Sequence, residues 1–273
     1  MIDLEKYDLS EREREYIENI LEKTGYELSV EQIWEIMDNV WREIKCNQNS
    51  YSHKKYSEFY SNPIWILNGI FIEQHSYSMK HRKNLADSII SKKPKKVLDY
   101  GGGFGTLAKL LARNTNLVKI DIFEPYPSQH LISSTKSLEN INCINSFKSN
   151  YYDIVVSTDV LEHVHEPLTL LSKLVSSVKN GGYIYVANCF SPVILCHLPC
   201  TFHLRLTFDL FCNLMGLKKI GSCSNNYCQI YQRNSLKNAN LFLIDILSIF
   251  SKAVWLLVRP LRPFLRSIIS FLR

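Results

Sequence analysis

The chain has 273 residues, 46% of them hydrophobic and 21% charged, ordinary values for a folded globular protein that exclude disorder over most of its length. Its net charge of +6 is unevenly placed, because residues 241–273 carry +4 of it and the preceding 240 only +2. A body so close to neutral has no broad basic footprint, which excludes nucleic acid as a partner.

The opening segment, MIDLEKYDLSEREREY, is charged and lacks the apolar run of a secretory signal. Together with eight scattered cysteines, it points to reduced thiols in a cytoplasmic protein. Residues 1–94 read as a helical region on the acceptor side. Ser10 with Glu13 fits a capping box, and Tyr16, Ile17, Ile20 and Leu21 follow at helical spacing. Ser29 with Gln32 repeats the start signal ahead of an apolar stripe of Ile33, Trp34, Met37, Val40, Trp41 and Ile44. The polar stretch Cys46–Tyr56 reads as a linker. An aromatic-rich segment, Phe59–Tyr77, and a helix over Ser78–Ile90 complete the region.

Residues 95–232 alternate β-rich runs with helical ones. Strands are expected at Lys96–Tyr100, Leu117–Phe123, Tyr152–Ser157 and Tyr183–Ala187, and helices at Thr106–Arg113 and Leu168–Val178. This alternation predicts an α/β fold with a mostly parallel sheet. Gly181-Gly182 reads as the turn before the strand at Tyr183. A helix at Phe208–Leu214 and two runs, Lys218–Ser222 and Asn226–Tyr231, close the sheet as an antiparallel hairpin.

The strongest motif is VLDYGGGFG, residues 97–105. A strand, a turn too tight for side chains and a helix N-terminus would bring a ligand against backbone. Dinucleotide sites use similar loops, but a pyrophosphate would be repelled by Asp99, two residues ahead of Gly101. A ligand with an ammonium and a sulfonium group, such as S-adenosylmethionine, tolerates that carboxylate. No G-x-x-x-x-G-K-[ST] is present, which excludes a P-loop.

The ordered segments VLDYGGGFG, IDIFEP, YDIVVSTDVLEHVHEP and NGGYIYVAN resemble those of class I S-adenosylmethionine-dependent methyltransferases. They are similar to the small-molecule branch that includes ubiquinone-type and sugar methyltransferases. The resemblance covers residues 95–232 and implies a Rossmann-like domain binding S-adenosyl-L-methionine. It implies that Asp99, Tyr100, Gly101 and Gly103 line the methionine end and that Glu124 takes the ribose hydroxyls. Thr158, Asp159 and Val160 would flank the cofactor near its reactive methyl. Arg82 would pair with the methionine carboxylate, unless it is a solvated charge beside Lys80 and Lys83. The sequence departs from the family after the third strand, where the acid that binds adenine is absent; Asn145 or Ser146 would substitute.

Transfer to a hydroxyl calls for alignment and a proton acceptor, and histidine suits the second need. His163, His165, His197 and His203 are the candidates, His163 and His203 foremost, with His163 alternatively shaping the pocket floor with Glu162 and His203 alternatively capping a helix or facing solvent. Cys196, His197, Cys200 and His203 crowd together but match no zinc module, so no metal is expected. The apolar loop around them reads as a lid that excludes water.

Residues 241–273 place Asp245, Ser248, Lys252 and Arg259 in one polar stripe on an apolar helix, and the pattern recurs with Arg262, Arg266, Ser270 and Arg273. Two amphipathic helices on an anionic membrane fit this pattern, with packing on the domain or a dimer contact as the alternative. A membrane-spanning helix would put Asp245 and Lys252 in hydrocarbon. The sequence thus leads to a methyltransferase acting on a small-molecule hydroxyl, that of a sugar or lipid-linked glycan precursor, at the inner face of a membrane. A quinone-type methyltransferase and a non-catalytic cofactor-binding regulator are the alternatives.

Overall fold

The computed structural model describes residues 1–114, 118–235 and 240–261. Helices α1 (Glu11–Thr24) and α2 (Val30–Glu43) both open on the expected capping boxes. The Glu13 carboxylate accepts from the Ser10 N–H at 2.8 Å, and Gln32 Oε1 accepts from the Ser29 N–H at 2.8 Å. Ile17, Leu21, Ile33, Met37, Val40 and Trp41 are buried in one cluster with α3 (His53–Tyr60) and α4 (Ile64–Gln74). The linker expected over Cys46–Tyr56 is therefore shorter than its polarity implied. Helix α3 starts at His53 because Tyr56 and Phe59 pack against the Trp41 ring, at 5.3 and 5.0 Å between centroids. Helix α5 (Ser76–Ser91) leads into the sheet.

Seven strands follow: β1 (Lys96–Tyr100), β2 (Lys119–Phe123), β3 (Ile141–Ile144), β4 (Tyr152–Thr158), β5 (Val178–Ala187), β6 (Leu217–Cys223) and β7 (Cys228–Arg233). Their order in the sheet is β3-β2-β1-β4-β5-β7-β6, with the first five parallel and β7 antiparallel to both neighbours. The expected start of the second strand, Leu117, lies outside the described residues. Gly181-Gly182 is not a turn. It sits inside β5, where Tyr152 pairs with Val178 and Ile154 with Tyr183, so Lys179–Gly182 bulge out opposite Asp153 alone. Lys179 Nζ closes that bulge on Asp153 Oδ1 at 2.6 Å.

The crossovers are α6 (Thr106–Asn114), α7 (Gln129–Thr135) and α8 (Pro167–Ser177), and α9 (Leu204–Leu214) precedes the hairpin. Strand residues alternate between two cores, as the two-residue period requires. Val97, Ile154 and Val156 pack with α5 and α6, while Leu98, Val155 and Ile184 pack with α8 and α9. Strand order reverses between β1 and β4, which opens a crevice at their carboxyl ends.

One further helix, α10 (Leu241–Val258), lies against α9 through Ile244, Ser251 and Trp255. Its opposite face is apolar and exposed: Phe242, Ile249, Phe250, Leu256 and Leu257 are each at least 64% accessible. The second amphipathic segment expected from Arg262 onward lies outside the described residues.

Candidate cofactor and acceptor site

The glycine loop leaves β1 at Tyr100, with the Gly101 N–H donating to the Phe123 carbonyl at 2.8 Å. Gly103 adopts φ +54, and a Cβ added there would meet no atom within 4 Å, so the loop opens onto space. Asp99 lies beneath it, 3% exposed. Among the described residues its Oδ2 has no hydrogen-bond partner. Burial first, and then the charge of Glu124, push its carboxyl up to about 7, while Arg82 pulls it back. A buried, unpartnered carboxylate beside an open glycine cradle fits a cationic ligand. The ammonium and sulfonium of S-adenosylmethionine satisfy that condition.

Glu124 stands at the end of β2. Its Oε2 accepts from the Gly103 N–H at 2.9 Å and its Oε1 from the Tyr126 N–H at 3.2 Å, which orients both oxygens while leaving each a lone pair. Burial raises its carboxyl, and the two N–H donors oppose that rise. Tyr100 stacks on Phe123 at 4.9 Å. Thr158 ends β4, and Asp159 follows in the left-handed region at φ +56, its N–H donating to the Ala187 carbonyl at 2.8 Å. Val160 presses a methyl to within 2.5 Å of where a Gly101 Cβ would stand. Arg82, half-buried on α5, donates to the Ser78 carbonyl at 3.4 Å and is close enough to act on both Asp99 and Tyr227. The fold thus gathers Asp99, Tyr100, Gly101, Gly103, Glu124, Thr158, Asp159, Val160 and Arg82 around the carboxyl ends of β1, β2 and β4. A cleft of about 500 Å³ at the end of β3 is lined by Phe123, Asn145, Ser146 and Phe147. A larger one, about 640 Å³ between the N-terminal segment and α6, holds none of these residues and is bridged by the Lys109–Glu73 ion pair at 3.0 Å.

Beyond β4, Leu161–His163 form one 3-10 turn. Glu162 is fully buried. Its Oε1 accepts from the Cys189 N–H at 2.6 Å and its carbonyl from the Leu198 N–H at 2.9 Å, so it ties down both ends of the apolar loop. Burial, then Asp159, push its carboxyl up to about 8. His163 donates through Nδ1 to the Cys196 carbonyl at 3.1 Å, and His197 through Nδ1 to the Ser191 carbonyl at 2.8 Å. Each imidazole keeps Nε2 as an acceptor. Burial, with His197 alongside, pulls His163 down to about 3, so it is neutral at physiological pH. One donor atom from each of Glu162, His163 and His197 lies within 4.8 Å of the others. The sequence pointed to no metal. This set has the chemistry to hold a cation or to share a proton, and the crowded Cys196 and Cys200 take no part in it.

Tyr60 and Trp65 set their rings edge-on to His163, at 6.3 and 6.0 Å, and Tyr60 stacks on Tyr126 at 6.1 Å. An aromatic wall from α3 and α4 therefore spans from the Glu124 side to the histidine side.

His203 is elsewhere. It is 2% exposed and bonded through Nδ1 to Ser251 Oγ of α10 at 2.7 Å, with Thr207 Oγ1 also on Ser251 at 2.7 Å. Burial, then Lys252, bring it down to about 4. Its partners lie on α10 and α9 rather than at the glycine loop, so the structure does not bring it together with the other candidate site residues. Sequence reasoning passed over Tyr227, whose hydroxyl donates to Asp159 Oδ2 at 2.6 Å. Nothing local marks it, because the hairpin register alone brings it to the end of β4.

The family described as "Methyltransferase domain" matches residues 71–240. The ubiquinone biosynthesis O-methyltransferase of Nitrosomonas europaea is 26% identical over 151 residues, which is 52% of this chain and 63% of that protein. The one from Shewanella sp. is 30% identical over 45% of this chain and 56% of that protein. The chain thus spans less than two thirds of the length of these curated relatives. Human N-acetylserotonin methyltransferase, solved in complex with S-adenosylmethionine, shares the fold with a TM-score of 0.51 at 15% identity, over 79% of this chain and 69% of that one. The chain belongs to the methyltransferase-domain family and shares the Rossmann-like fold of its S-adenosylmethionine-binding members.

Proposed function

We propose that this protein methylates a hydroxyl oxygen of a ring-bearing, quinone-type acceptor that it meets at the inner face of a membrane. The observation that carries the reading is the neutral imidazole of His163, walled by Tyr60 and Trp65 and three residues past the Thr158–Val160 rim of the crevice. S-adenosylmethionine supplies an electrophilic methyl on sulfur when bound. Asp99 would hold its cationic end, Arg82 its carboxylate and Glu124 its ribose hydroxyls. Tyr60 and Trp65 present faces and edges that suit a flat ring. His163 or His197 would accept the acceptor's O–H through Nε2, turning an oxygen lone pair toward the sulfur-bound carbon. An imidazole as weakly basic as His163 orients the hydroxyl without keeping its proton, which passes on to water as the oxygen–methyl bond forms and the methyl–sulfur bond breaks.

The relatives named for ubiquinone biosynthesis support a phenolic acceptor ahead of the sugar or lipid-linked glycan hydroxyl that the sequence first favoured. Helix α10 supports the membrane. One helix among the described residues, Leu241–Leu261, is long and apolar enough to cross a bilayer, yet Ser251 and Trp255 bind its inner side to the domain. A helix held along one side while its other side is apolar suits the interface rather than a span. The test is incubation with labelled S-adenosylmethionine and fractionated lipid and aqueous extracts. Alkali-stable label in a phenolic lipid is the expected result. Label in glycans would return the sugar reading, and label in no pool with cofactor bound would leave a regulator.

A further inference from the structure

The β6–β7 hairpin carries two cysteines directly opposite each other, Cys223 and Cys228, in the last pair before its turn. Opposed residues in an antiparallel ladder have Cα atoms about 4.5–5.5 Å apart, inside the range of about 4.4–6.8 Å that a disulfide spans. Each thiol perturbs the other, Cys228 drawing Cys223 down and Cys223 pushing Cys228 up, as close neighbours do. Cys223 is partly exposed whereas Cys228 is buried, so an external reagent meets Cys223 first. The turn they close is strained, since Ser224, Asn225 and Asn226 all adopt φ between +54 and +65. It is also joined to α5 on one side and to the cofactor crevice on the other. Ser224 Oγ bonds His81 Nδ1 at 2.6 Å, and the Tyr227 hydroxyl donates to Asp159 at 2.6 Å.

We propose that Cys223 and Cys228 form a reversible disulfide that locks this turn and thereby holds Tyr227 on Asp159. The oxidant is a small disulfide of the glutathione class. The Cys223 thiolate attacks one of its sulfurs and expels a thiolate, giving a mixed disulfide on Cys223. Cys228 then loses its proton and attacks the Cys223 sulfur, expelling the second thiolate. Two protein thiols are oxidised to one disulfide, and one small disulfide is reduced to two small thiols. The protons released by the cysteines end on the departing thiolates. With the turn locked, conformations in which Tyr227 leaves Asp159 are removed, and the crevice is preorganised for its ligand. This last step rests on the assignment of Asp159 to the cofactor crevice, whereas the disulfide itself does not.

The test treats the full chain with oxidised glutathione at neutral pH, caps the remaining thiols and maps the peptides by mass. The expected product is a Cys223–Cys228 cross-link, reversed by dithiothreitol, formed while the other cysteines are still capped as free thiols. In Cys228→Ser, glutathione should stay attached to Cys223. Wild-type protein that keeps the glutathione adduct, stays unoxidised while melting as a folded protein, or links a different pair overturns the proposal. S-adenosylhomocysteine should bind the oxidised form about fivefold or more tightly than the reduced form, and Tyr227→Phe should abolish that difference. Equal affinity, or a difference that survives in Tyr227→Phe, overturns the coupling even where the cross-link forms. Binding to neither form would count against the cofactor site instead, with the mass measurement still deciding the disulfide.

Discussion

Gly103→Ala separates the cost of folding from the cost of binding. At φ +54 an alanine bears left-handed strain of about 1–2 kcal/mol. The added methyl meets nothing within 4 Å, so no steric term is added to that strain. For a domain of this size the melting temperature should fall by roughly 2–8 °C. The same methyl stands in the open cradle of the glycine loop, on the residue whose N–H orients Glu124. Cofactor contact there should be lost by at least tenfold in affinity, about 1.4 kcal/mol. Differential scanning fluorimetry gives the first quantity and titration with S-adenosylhomocysteine the second. A variant that melts slightly lower but binds as the wild type does would refute the placement of the cofactor over Gly103. Gly101→Ala is the contrast, since its methyl would stand 2.5 Å from Val160 and disturb the free protein as well.

Glu124→Ala should weaken S-adenosylhomocysteine by about 1–3 kcal/mol, the scale of charge-assisted hydrogen bonds; unchanged calorimetric affinity would give the ribose to another acid. His163→Ala should lower turnover while Ser251→Ala leaves it unchanged and costs about 1 kcal/mol of stability, as activity assays and urea melts would show. His163 and His203, held near 3 and 4 against an ordinary 6.5, bind fewer protons folded than unfolded. Their stability is present above pH 6.5 and is lost as pH falls toward 4. Glu162, raised to about 8 from 4.5, acts in the opposite sense between those values. Melting temperatures across pH 4–7 should therefore show a slope that His203→Asn flattens. With α10 intact, the protein should sediment with anionic vesicles and release as salt rises; indifference to vesicles would leave the exposed face of α10 for another partner.

The parts of this molecule that were legible in the sequence are those in which neighbours in the chain act together. Both capping boxes, the glycine loop with Asp99, and the alternation of strands and helices depend on spacings of a few residues, and each stands in the structure. What escaped depended on distant pairing. His203 was read with the histidines of its own loop, but it is Ser251, 48 residues away, that takes up its imidazole. Glycines 181 and 182 looked like a turn because a bulge shows itself only in the register of the partner strand. The convergence of His197 on Glu162 and His163, and of Tyr227 on Asp159, likewise needs the packed sheet.

Every residue role proposed above rests on S-adenosylmethionine occupying the crevice at the ends of β1, β2 and β4. Isothermal titration of the full chain with S-adenosylhomocysteine tests it most directly, with NAD as the competing ligand. One saturable site for S-adenosylhomocysteine, weakened in Glu124→Ala and Gly103→Ala, and no heat from NAD are the expected results. Tight NAD binding with no response to S-adenosylhomocysteine would contradict it.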